Sequence, residues 1–186
     1  MNTGIRLFVA AILPEPLKEL LHEQLKIFEH PNIRLLPPQN LHLTLFFIGN
    51  VPLSELDSIK SIICTIAKQH QPFTLRFAQT EPGPHARKPR LVWARFDPHP
   101  IFEKLNIELS EQLSQQPSSI KKPLPHITLA RFRKDKPAPK DLPAVKSESP
   151  IELTVNAISL WQSELASPHP TYKVLDSYPL GQNQAH

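Results

Sequence analysis

Four side chains with acid, base or hydrogen-bonding chemistry occur in two matching sets along the chain. His42 is followed by Thr44 in the stretch His-Leu-Thr-Leu, and His126 is followed by Thr128 in the stretch His-Ile-Thr-Leu. Each set lies in a run of aliphatic, β-branched and aromatic residues, which predicts a β-strand. Because successive side chains on a strand point to opposite faces, each histidine shares a face with its threonine, and the aliphatic residues face the core.

Two imidazoles and two hydroxyls across a groove are suited to in-line displacement at phosphorus. Imidazole has an unperturbed pKa of about 6.5, so near neutral pH one ring can act as a base and another as an acid. One histidine would take a proton from the attacking water, and the other would protonate the departing alkoxide. The threonine hydroxyls can donate hydrogen bonds to the non-bridging oxygens, where negative charge accumulates. The four residues are therefore candidates for the cleavage of a phosphate ester.

Three other interpretations compete with this chemistry. A zinc site would normally add a third protein ligand, and neither strand carries an Asp or Glu on its histidine face. Nucleophilic attack by threonine is disfavoured, because two symmetric threonines are more typical of binding groups. Plain core packing would explain a duplicated strand, but it would not explain why both polar positions remain in both copies. We therefore expect no metal ion and no other cofactor.

The two motifs belong to a longer internal repeat. They lie 84 positions apart (126 − 42), and at the same offset Arg6–Ala10 aligns with Arg90–Ala94. Each copy reads as a strand, a helix and a His-x-Thr strand, and such self-similarity constrains the architecture. We expect repeat regions of about 5–50 and 89–134, related by a pseudo-twofold axis, within one domain that spans 1–186.

Hydrophobic periodicity predicts three long helices and about seven strands. The helices are expected directly after Pro14, over 54–70 and over 100–115, each with an apolar face at helical spacing. Residues 31–38 are expected to form a connector, and the polar, proline-rich stretch 133–146 is a candidate lid or a disordered segment. The expected strands are 5–13, 40–50, 73–77, 90–96, 127–132, 151–160 and 172–180.

Elements in this order indicate an α+β fold with antiparallel sheets, because strands follow helices or one another as hairpins. We expect two pseudo-symmetric lobes, each an antiparallel sheet with helices packed on its outer face. The active-site groove would lie between the two lobes. No glycine-rich fingerprint follows a strand, so a dinucleotide-binding fold is not indicated.

The composition is that of a globular protein. Hydrophobic residues make up 40% and charged residues 20% of the 186 positions, and a net charge of +4 suits a polyanionic partner. The one cysteine, Cys64, has no disulfide partner within the chain, which favours a reducing compartment. No stretch approaches the ~18 apolar residues of a membrane span, and no signal peptide is apparent. A cytoplasmic monomer without a membrane partner is expected.

The residues around both motifs resemble the paired signatures of the two-histidine (2H) phosphoesterases. Within that superfamily the chain is similar to the bacterial LigT-like RNA 2',3'-cyclic phosphodiesterases, also known as 2'-5' RNA ligases. The resemblance covers nearly the whole chain, including Arg6–Ala10, Pro38–Leu41, Phe47–Gly49 and Pro125.

The resemblance implies metal-independent hydrolysis of a terminal 2',3'-cyclic phosphate to a 2'-phosphate. The implied substrates are RNA ends or nucleoside 2',3'-cyclic phosphates. By this likeness His42 donates a proton to the leaving 3'-oxygen, His126 activates water, and Thr44 and Thr128 hold the phosphate. The two strands are equivalent by their residues, so the order of the two histidine roles depends on the resemblance alone.

Two further substrate contacts follow from the same resemblance. Arg131, five positions after His126, would contact the phosphate. Strict alternation turns Arg131 away from the histidine face, so a bulge or a strand end must re-aim it. Phe47 holds the matching place after His42, where it would stack on a base or pack into the core.

The chain departs from the family pattern after Arg34. The family often has an aromatic residue there, whereas Leu35 and Leu36 follow in this sequence, which changes one wall of the pocket. Other activities of the same superfamily remain alternatives, namely cleavage of 2'-5' linkages or of a cyclic ADP-ribose phosphate, and RNA 2'-5' ligation. A module that binds RNA ends without chemistry is a further alternative.

Overall fold

The computed structural model describes residues 4–85, 87–114, 122–167 and 169–181. Three α-helices and nine strands occur in these ranges. The helices are α1 (Glu15–Leu25), α2 (Leu56–Gln69) and α3 (Pro100–Leu113). The strands are β1 (Gly4–Ile12), β2 (Ile33–Leu35), β3 (His42–Pro52), β4 (Phe73–Gly83), β5 (Leu91–Phe96), β6 (His126–Phe132), β7 (Glu152–Val155), β8 (Ala157–Glu164) and β9 (Thr171–Pro179). Among the helices of the described ranges, none has the length and apolar character that crossing a membrane requires.

The helices begin where the sequence supplies starting signals. Proline lies in the first turn of α1 and of α3, where its missing N–H removes no helical hydrogen bond. The side chain of His99 caps α3 by accepting from the backbone N–H of Ile101 at 3.3 Å. In α2 the buried positions Ile59, Ile63 and Ile66 recur at helical spacing, so one face of the helix packs on the core.

All strands pair antiparallel in the order β7-β4-β5-β6-β3-β1-β8-β9, and β2 pairs with β6 beside this path. The two motif strands, β3 and β6, are therefore neighbours at the middle of the sheet. One lobe is β3-β1-β8-β9, and the other is β7-β4-β5-β6. The expected α+β fold with two antiparallel lobes is confirmed.

The lobes exchange elements between the two repeats. Strand β4 follows the first repeat but pairs with β5 of the second, and β8 follows the second repeat but pairs with β1 of the first. The helices cross over in the same way, because α1 contacts β6 and α3 contacts β3. Each lobe is therefore completed by residues from the other half of the chain.

Several strands differ from the sequence prediction, and β4, for example, continues to Gly83 beyond the expected 73–77. The expected connector over 31–38 contains β2, whose Ile33, Arg34 and Leu35 pair with β6. A run of three residues is too short for periodicity to reveal. The stretch 151–160, predicted as one strand, is divided between β7 and β8, which pair with β4 and β1 in different lobes.

The main core lies between the helices and one face of the sheet. The aliphatic motif residues Leu43, Leu45, Ile127 and Leu129 are all buried there. Removing such a side chain typically costs about 2–5 kcal/mol, so these positions hold the two motif strands in place. The opposite face carries the half-buried histidines and threonines, beside a second apolar cluster of Phe8, Ala10 and Trp161.

Candidate active site

The register between β3 and β6 brings the two motifs together. Leu43 lies opposite Ile127 in this antiparallel pair. Because the two strands run antiparallel, His42 lies opposite Thr128, and Thr44 lies opposite His126. Cβ atoms of directly opposed residues are typically about 4.5–5.5 Å apart, and those of diagonal residues about 7–8 Å. The two histidines thus occupy one diagonal of a square, and the two threonines occupy the other.

A β-bulge follows the threonine in each motif. The pairing of β3 with β1 skips Leu45, and the pairing of β6 with β5 skips Leu129. Each bulge shifts the alternation by one residue, so the residue five positions after each histidine, Phe47 or Arg131, turns back to the histidine face. Both side chains line one cavity together with His42. The bulge that the sequence required for Arg131 is present.

Both histidine rings are oriented by the same backbone contact. His42 Nδ1 lies 2.8 Å from the carbonyl oxygen of Asn40, and His126 Nδ1 lies 2.8 Å from that of Leu124. A carbonyl oxygen can only accept, so Nδ1 carries the hydrogen in each ring. Proton exchange with a substrate therefore falls to Nε2 in both rings. The neutral ring can accept a proton there, and the charged ring can donate one.

His42 is enclosed by aromatic rings from three strands. The ring centroids of Phe8, Tyr172 and Trp161 lie 4.9, 5.2 and 5.6 Å from that of His42. Burial among these rings lowers the pKa of His42 to about 4, although the hydrogen bond to the Asn40 carbonyl opposes this shift. The positive charge of Arg131 lowers the pKa of His42 further.

His126 has a different surrounding. Its ring lies on Trp93, with 4.8 Å between the ring centroids. Burial lowers the pKa of His126, the hydrogen bond to the Leu124 carbonyl opposes the shift, and Arg131 adds to it. In the free protein at neutral pH both imidazoles are therefore mainly uncharged.

The cavity beside His42 has a volume of about 230 Å³. Arg6 and Arg131 give it positive charge, and the Arg6 guanidinium lies 4.7 Å from the centre of the Phe47 ring. Burial raises the pKa of Tyr172, so its hydroxyl stays protonated and can donate a hydrogen bond. The cavity is lined by Arg6, Phe8, His42, Thr44, Phe47, Arg131, Ser163 and Tyr172.

The predicted residues are distributed unequally over the site. Thr44, Phe47 and Arg131 lie in the cavity with His42, whereas His126 and Thr128 are not in its lining and lie on the neighbouring strand β6. Phe47 remains 48% exposed, so its ring is available for contact with a ligand.

Sequence reasoning missed several residues of this cavity. Arg6 was recognised only as part of the internal repeat, although its alternation with Phe8 places both on one face of β1. Tyr172 and Ser163 come from β9 and β8, and no local signal connects them with the first motif. In the part of the chain that the structure describes, no three His, Cys, Asp or Glu side chains are placed to hold a metal ion.

Comparisons with known proteins agree with this architecture. The family model of the 2'-5' RNA ligase superfamily matches residues 13–166. An RNA 2',3'-cyclic phosphodiesterase of Thermus thermophilus is 33% identical over 184 residues, covering 95% of this chain and 90% of that protein. Another of the same name, from Thermotoga maritima, is 31% identical over 140 residues, covering 74% of each chain.

Solved structures show the same likeness. A crystal structure of a protein from Thermus thermophilus has a TM-score of 0.83 and 32% identity, covering 95% of this chain and 98% of that one. The structure of E. coli LigT complexed with 3'-AMP has a TM-score of 0.76 and 27% identity, covering 96% and 99%. With the duplicated His-x-Thr strands at its centre, the chain belongs to the 2'-5' RNA ligase superfamily of two-histidine phosphoesterases.

Proposed function

We propose that the protein hydrolyses a 2',3'-cyclic phosphate, at the end of an RNA or on a nucleoside, to a 2'-phosphomonoester. No metal ion or other cofactor is needed in this proposal. The observation that carries it is the pairing of Leu43 with Ile127, from which we infer that the two imidazoles and the two hydroxyls surround one point. The relatives named RNA 2',3'-cyclic phosphodiesterase support the choice of substrate.

In the proposed reaction His126 Nε2 removes a proton from water while the water oxygen forms a bond to phosphorus. The bond from phosphorus to the 3'-oxygen breaks, and His42 Nε2 donates its proton to that oxygen. The 2'-oxygen keeps the phosphate, and solvent then restores both rings. The hydrogen bonds at Nδ1 of both rings support this scheme because they leave Nε2 for substrate. The order of the two roles follows from the family resemblance.

Substrate binding would favour the protonated form of His42, which a general acid needs. A pKa of about 4 leaves few His42 rings protonated in the free protein near neutral pH. The phosphodiester carries a negative charge, and an opposite charge within about 4–6 Å favours the charged imidazolium. The anionic substrate would therefore raise the pKa of His42, so that the donor becomes protonated only when its target is bound.

The remaining site residues have binding roles in the proposal. The hydroxyls of Thr44 and Thr128 and the guanidinium of Arg131 would donate to the non-bridging oxygens, where charge increases in the transition state. Phe47, with its exposed ring beside Arg6, would stack on the base of the terminal nucleotide.

The test is hydrolysis of a nucleoside 2',3'-cyclic phosphate by the variants His42→Ala and His126→Ala. We expect each to lose about 10²–10⁴-fold in kcat, the usual range for a removed acid or base, with little change in the unfolding midpoint. His85→Ala is the matched control, because this histidine is exposed. EDTA should have no effect on the rate. Full activity in either site variant, or loss of activity with EDTA, would refute the proposal.

The family model points to a second possible activity. It describes a 2'-5' RNA ligase superfamily, and the same two histidines would serve cleavage or joining of 2'-5' linkages. Product analysis separates these cases, because a 3'-phosphate product, or no turnover of cyclic ends, favours the alternative. A module that only binds RNA ends would keep its affinity in both histidine variants.

We also propose that residues 1–186 form one domain, duplicated over about 5–50 and 89–134, that works as a monomer in the cytoplasm. The exchange of β4 and β8 between the repeats supports a single folding unit, because neither half completes a lobe alone. The single cysteine supports a reducing compartment. A sedimentation measurement that gave a dimer mass would contradict the monomer.

A further inference from the structure

A second cavity lies beside the candidate reaction site and shares Arg131 with it. Its volume is about 340 Å³, and its charged wall consists of Arg34, Arg131, Arg133 and Lys134, opposed by the single carboxylate of Asp135. His169 and three apolar residues complete the lining. The volume is within the ~300–1,000 Å³ of small-molecule sites, so it exceeds what one small ion needs.

The positive wall is built by backbone pairing. Strand β2 places Arg34 directly opposite Arg131 on β6. Directly opposed residues of an antiparallel pair project to the same face of the sheet, so both arginine side chains lie on one side of it. Two guanidinium groups side by side are suited to the oxygens of a phosphate. This pairing therefore favours a phosphate ligand at the boundary of the two cavities.

Hydrogen bonds fix the neighbouring part of the wall. The backbone N–H of Arg133 donates to the carbonyl oxygen of Asn32 at 2.9 Å, and its Nε donates to that of Pro31 at 3.0 Å. The side chain of Asn32 donates in turn to the carbonyl oxygen of Pro137 at 3.0 Å. The segment after β6 is thus tied to the segment before β2, and the side chain of Arg133 is held at the cavity before any ligand binds.

The course of an RNA strand connects the two cavities. In an RNA whose terminal cyclic phosphate lies at His42, the last ribose carries two further groups, the base and the 5'-oxygen. Only the 5'-oxygen continues to the preceding nucleotide. Phe47 lines only the first cavity and Arg34 only the second, while Arg131 borders both. A base stacked on Phe47 would leave the 5'-oxygen to continue past Arg131 into the second cavity.

We propose that the second cavity is a subsite for the phosphodiester that precedes the terminal nucleotide. The preferred substrate is then an RNA strand of two or more nucleotides rather than a free nucleoside 2',3'-cyclic phosphate. This inference rests on the function proposed above and narrows its substrate to strands that carry the preceding phosphodiester.

Three substrates with the same terminal base test the subsite. They are the nucleoside 2',3'-cyclic phosphate, its 5'-phosphorylated form, and a dinucleotide that ends in the cyclic phosphate. We expect kcat/KM to be about tenfold or more higher for the last two, because each adds a phosphate at the position of the subsite. The dependence of log(kcat/KM) on log[salt] should also be steeper for them, by roughly 0.7 for each phosphate neutralised.

The double variant Arg34→Gln/Lys134→Gln should reduce this preference to near unity and remove the additional salt dependence. Arg76→Gln/Lys68→Gln is the matched control, because it removes the same charge from residues outside both cavities, and it should keep the wild-type preference. An unchanged preference in the Arg34→Gln/Lys134→Gln variant would overturn the subsite.

The outcomes for the subsite and for the proposed function are distinguishable. Hydrolysis of all three substrates at equal kcat/KM would reject the subsite and leave the proposed function intact. A gain for the dinucleotide but not for the 5'-phosphorylated nucleoside would also reject it, because the added phosphate would not be the group recognised. If none of the three is hydrolysed, the proposed function fails. The subsite would then be judged by whether a dinucleotide 2'-phosphate binds the wild type more tightly than the double variant.

Discussion

Leu45 and Leu129 occupy the same position in the two motifs, and each is the bulged residue of its strand. The bulges turn Phe47 and Arg131 towards the histidine face at equivalent places in the two lobes. The duplication has thus kept the backbone irregularity and has placed an aromatic ring in one copy and a guanidinium in the other. One side of the site is thereby suited to a base and the other to a phosphate.

The bulge of β3 is held by a side chain from the other repeat. The amide of Asn106 on α3 donates a hydrogen bond to the carbonyl oxygen of Leu45. We predict that Asn106→Ala lowers kcat by about tenfold, because the bulge relaxes and Phe47 and His42 lose their alignment. The loss of stability should be only about 0.5–1.5 kcal/mol, the usual net value of one hydrogen bond. Thr65→Ala, which removes an exposed side-chain hydrogen bond on α2 outside both cavities, is the control for thermal unfolding and turnover. Unchanged kcat in Asn106→Ala would contradict a positioning role.

The Trp93 ring lies between Gly83 and His126, the candidate base. A Cβ atom at Gly83 would lie 2.5 Å from Cε2 of Trp93, so Gly83→Ala must displace the indole on which His126 rests. We predict a fall in kcat with a smaller change in KM, because the base moves while the phosphate contacts of Arg131 remain. Gly4→Ala is the control, since a Cβ there meets only the movable side chain of Asn50. A normal kcat in Gly83→Ala would show that the Trp93 ring does not set the position of His126.

Phe47 offers a test of base recognition. If its exposed ring stacks on the terminal base, Phe47→Ala removes a contact of about 1–3 kcal/mol, and KM should rise about tenfold or more. The value of kcat should change less, because the ring is distant from the transferred protons. Leu53→Ala is the control, an exposed apolar residue outside the cavity. Steady-state kinetics on purine and pyrimidine substrates would show the effect, and an unchanged KM would assign Phe47 to packing against Arg6.

The pKa of His42 predicts how activity depends on pH. In the free protein the His42 acid is mainly protonated only below about pH 4, and burial also lowers the pKa of His126. Both limbs of the bell in kcat/KM, which reports the free enzyme, should therefore lie below about pH 6.5. The profile of kcat, which reports the substrate complex, should lie at higher pH, because the bound phosphate favours the imidazolium. If the pH profiles of kcat and kcat/KM coincided and were both centred on about 6.5, the ordinary histidine pKa, the substrate charge would not raise the pKa of His42. That result would contradict the prediction.

The same shift links His42 to folding stability. Between about pH 4 and 6.5 the unfolded chain binds a proton at His42 that the folded chain does not bind. The contribution of His42 to stability should therefore fall as the pH drops from about 6.5 and should level off below about 4. In His42→Gln this decline should be smaller, whereas the exposed-residue control His85→Gln should follow the wild type. Urea unfolding at about pH 7, 5.5 and 4.5 gives the comparison, and equal declines in all three proteins would contradict it.

The sequence alone determined the local features of this protein. The alternation of His42 and Thr44 with buried aliphatic residues predicted the strand and its polar face, because neighbouring side chains on a strand point to opposite sides. The offset of 84 positions (126 − 42) predicted two related halves, and the order of elements predicted the α+β class. Helical spacing located all three helices to within a few residues.

The tertiary structure decided which of these features meet. The pairing of Leu43 with Ile127 depends on which strand packs beside which, and no local pattern contains that choice. The rings around His42 include Trp161 from β8, 119 positions further along the chain (161 − 42). Arg34 acquires its place opposite Arg131 through a three-residue strand that periodicity cannot detect. Local sequence thus fixes the face on which each side chain lies. Long-range packing fixes its neighbours, and those neighbours set the histidine pKa values and the shape of the groove.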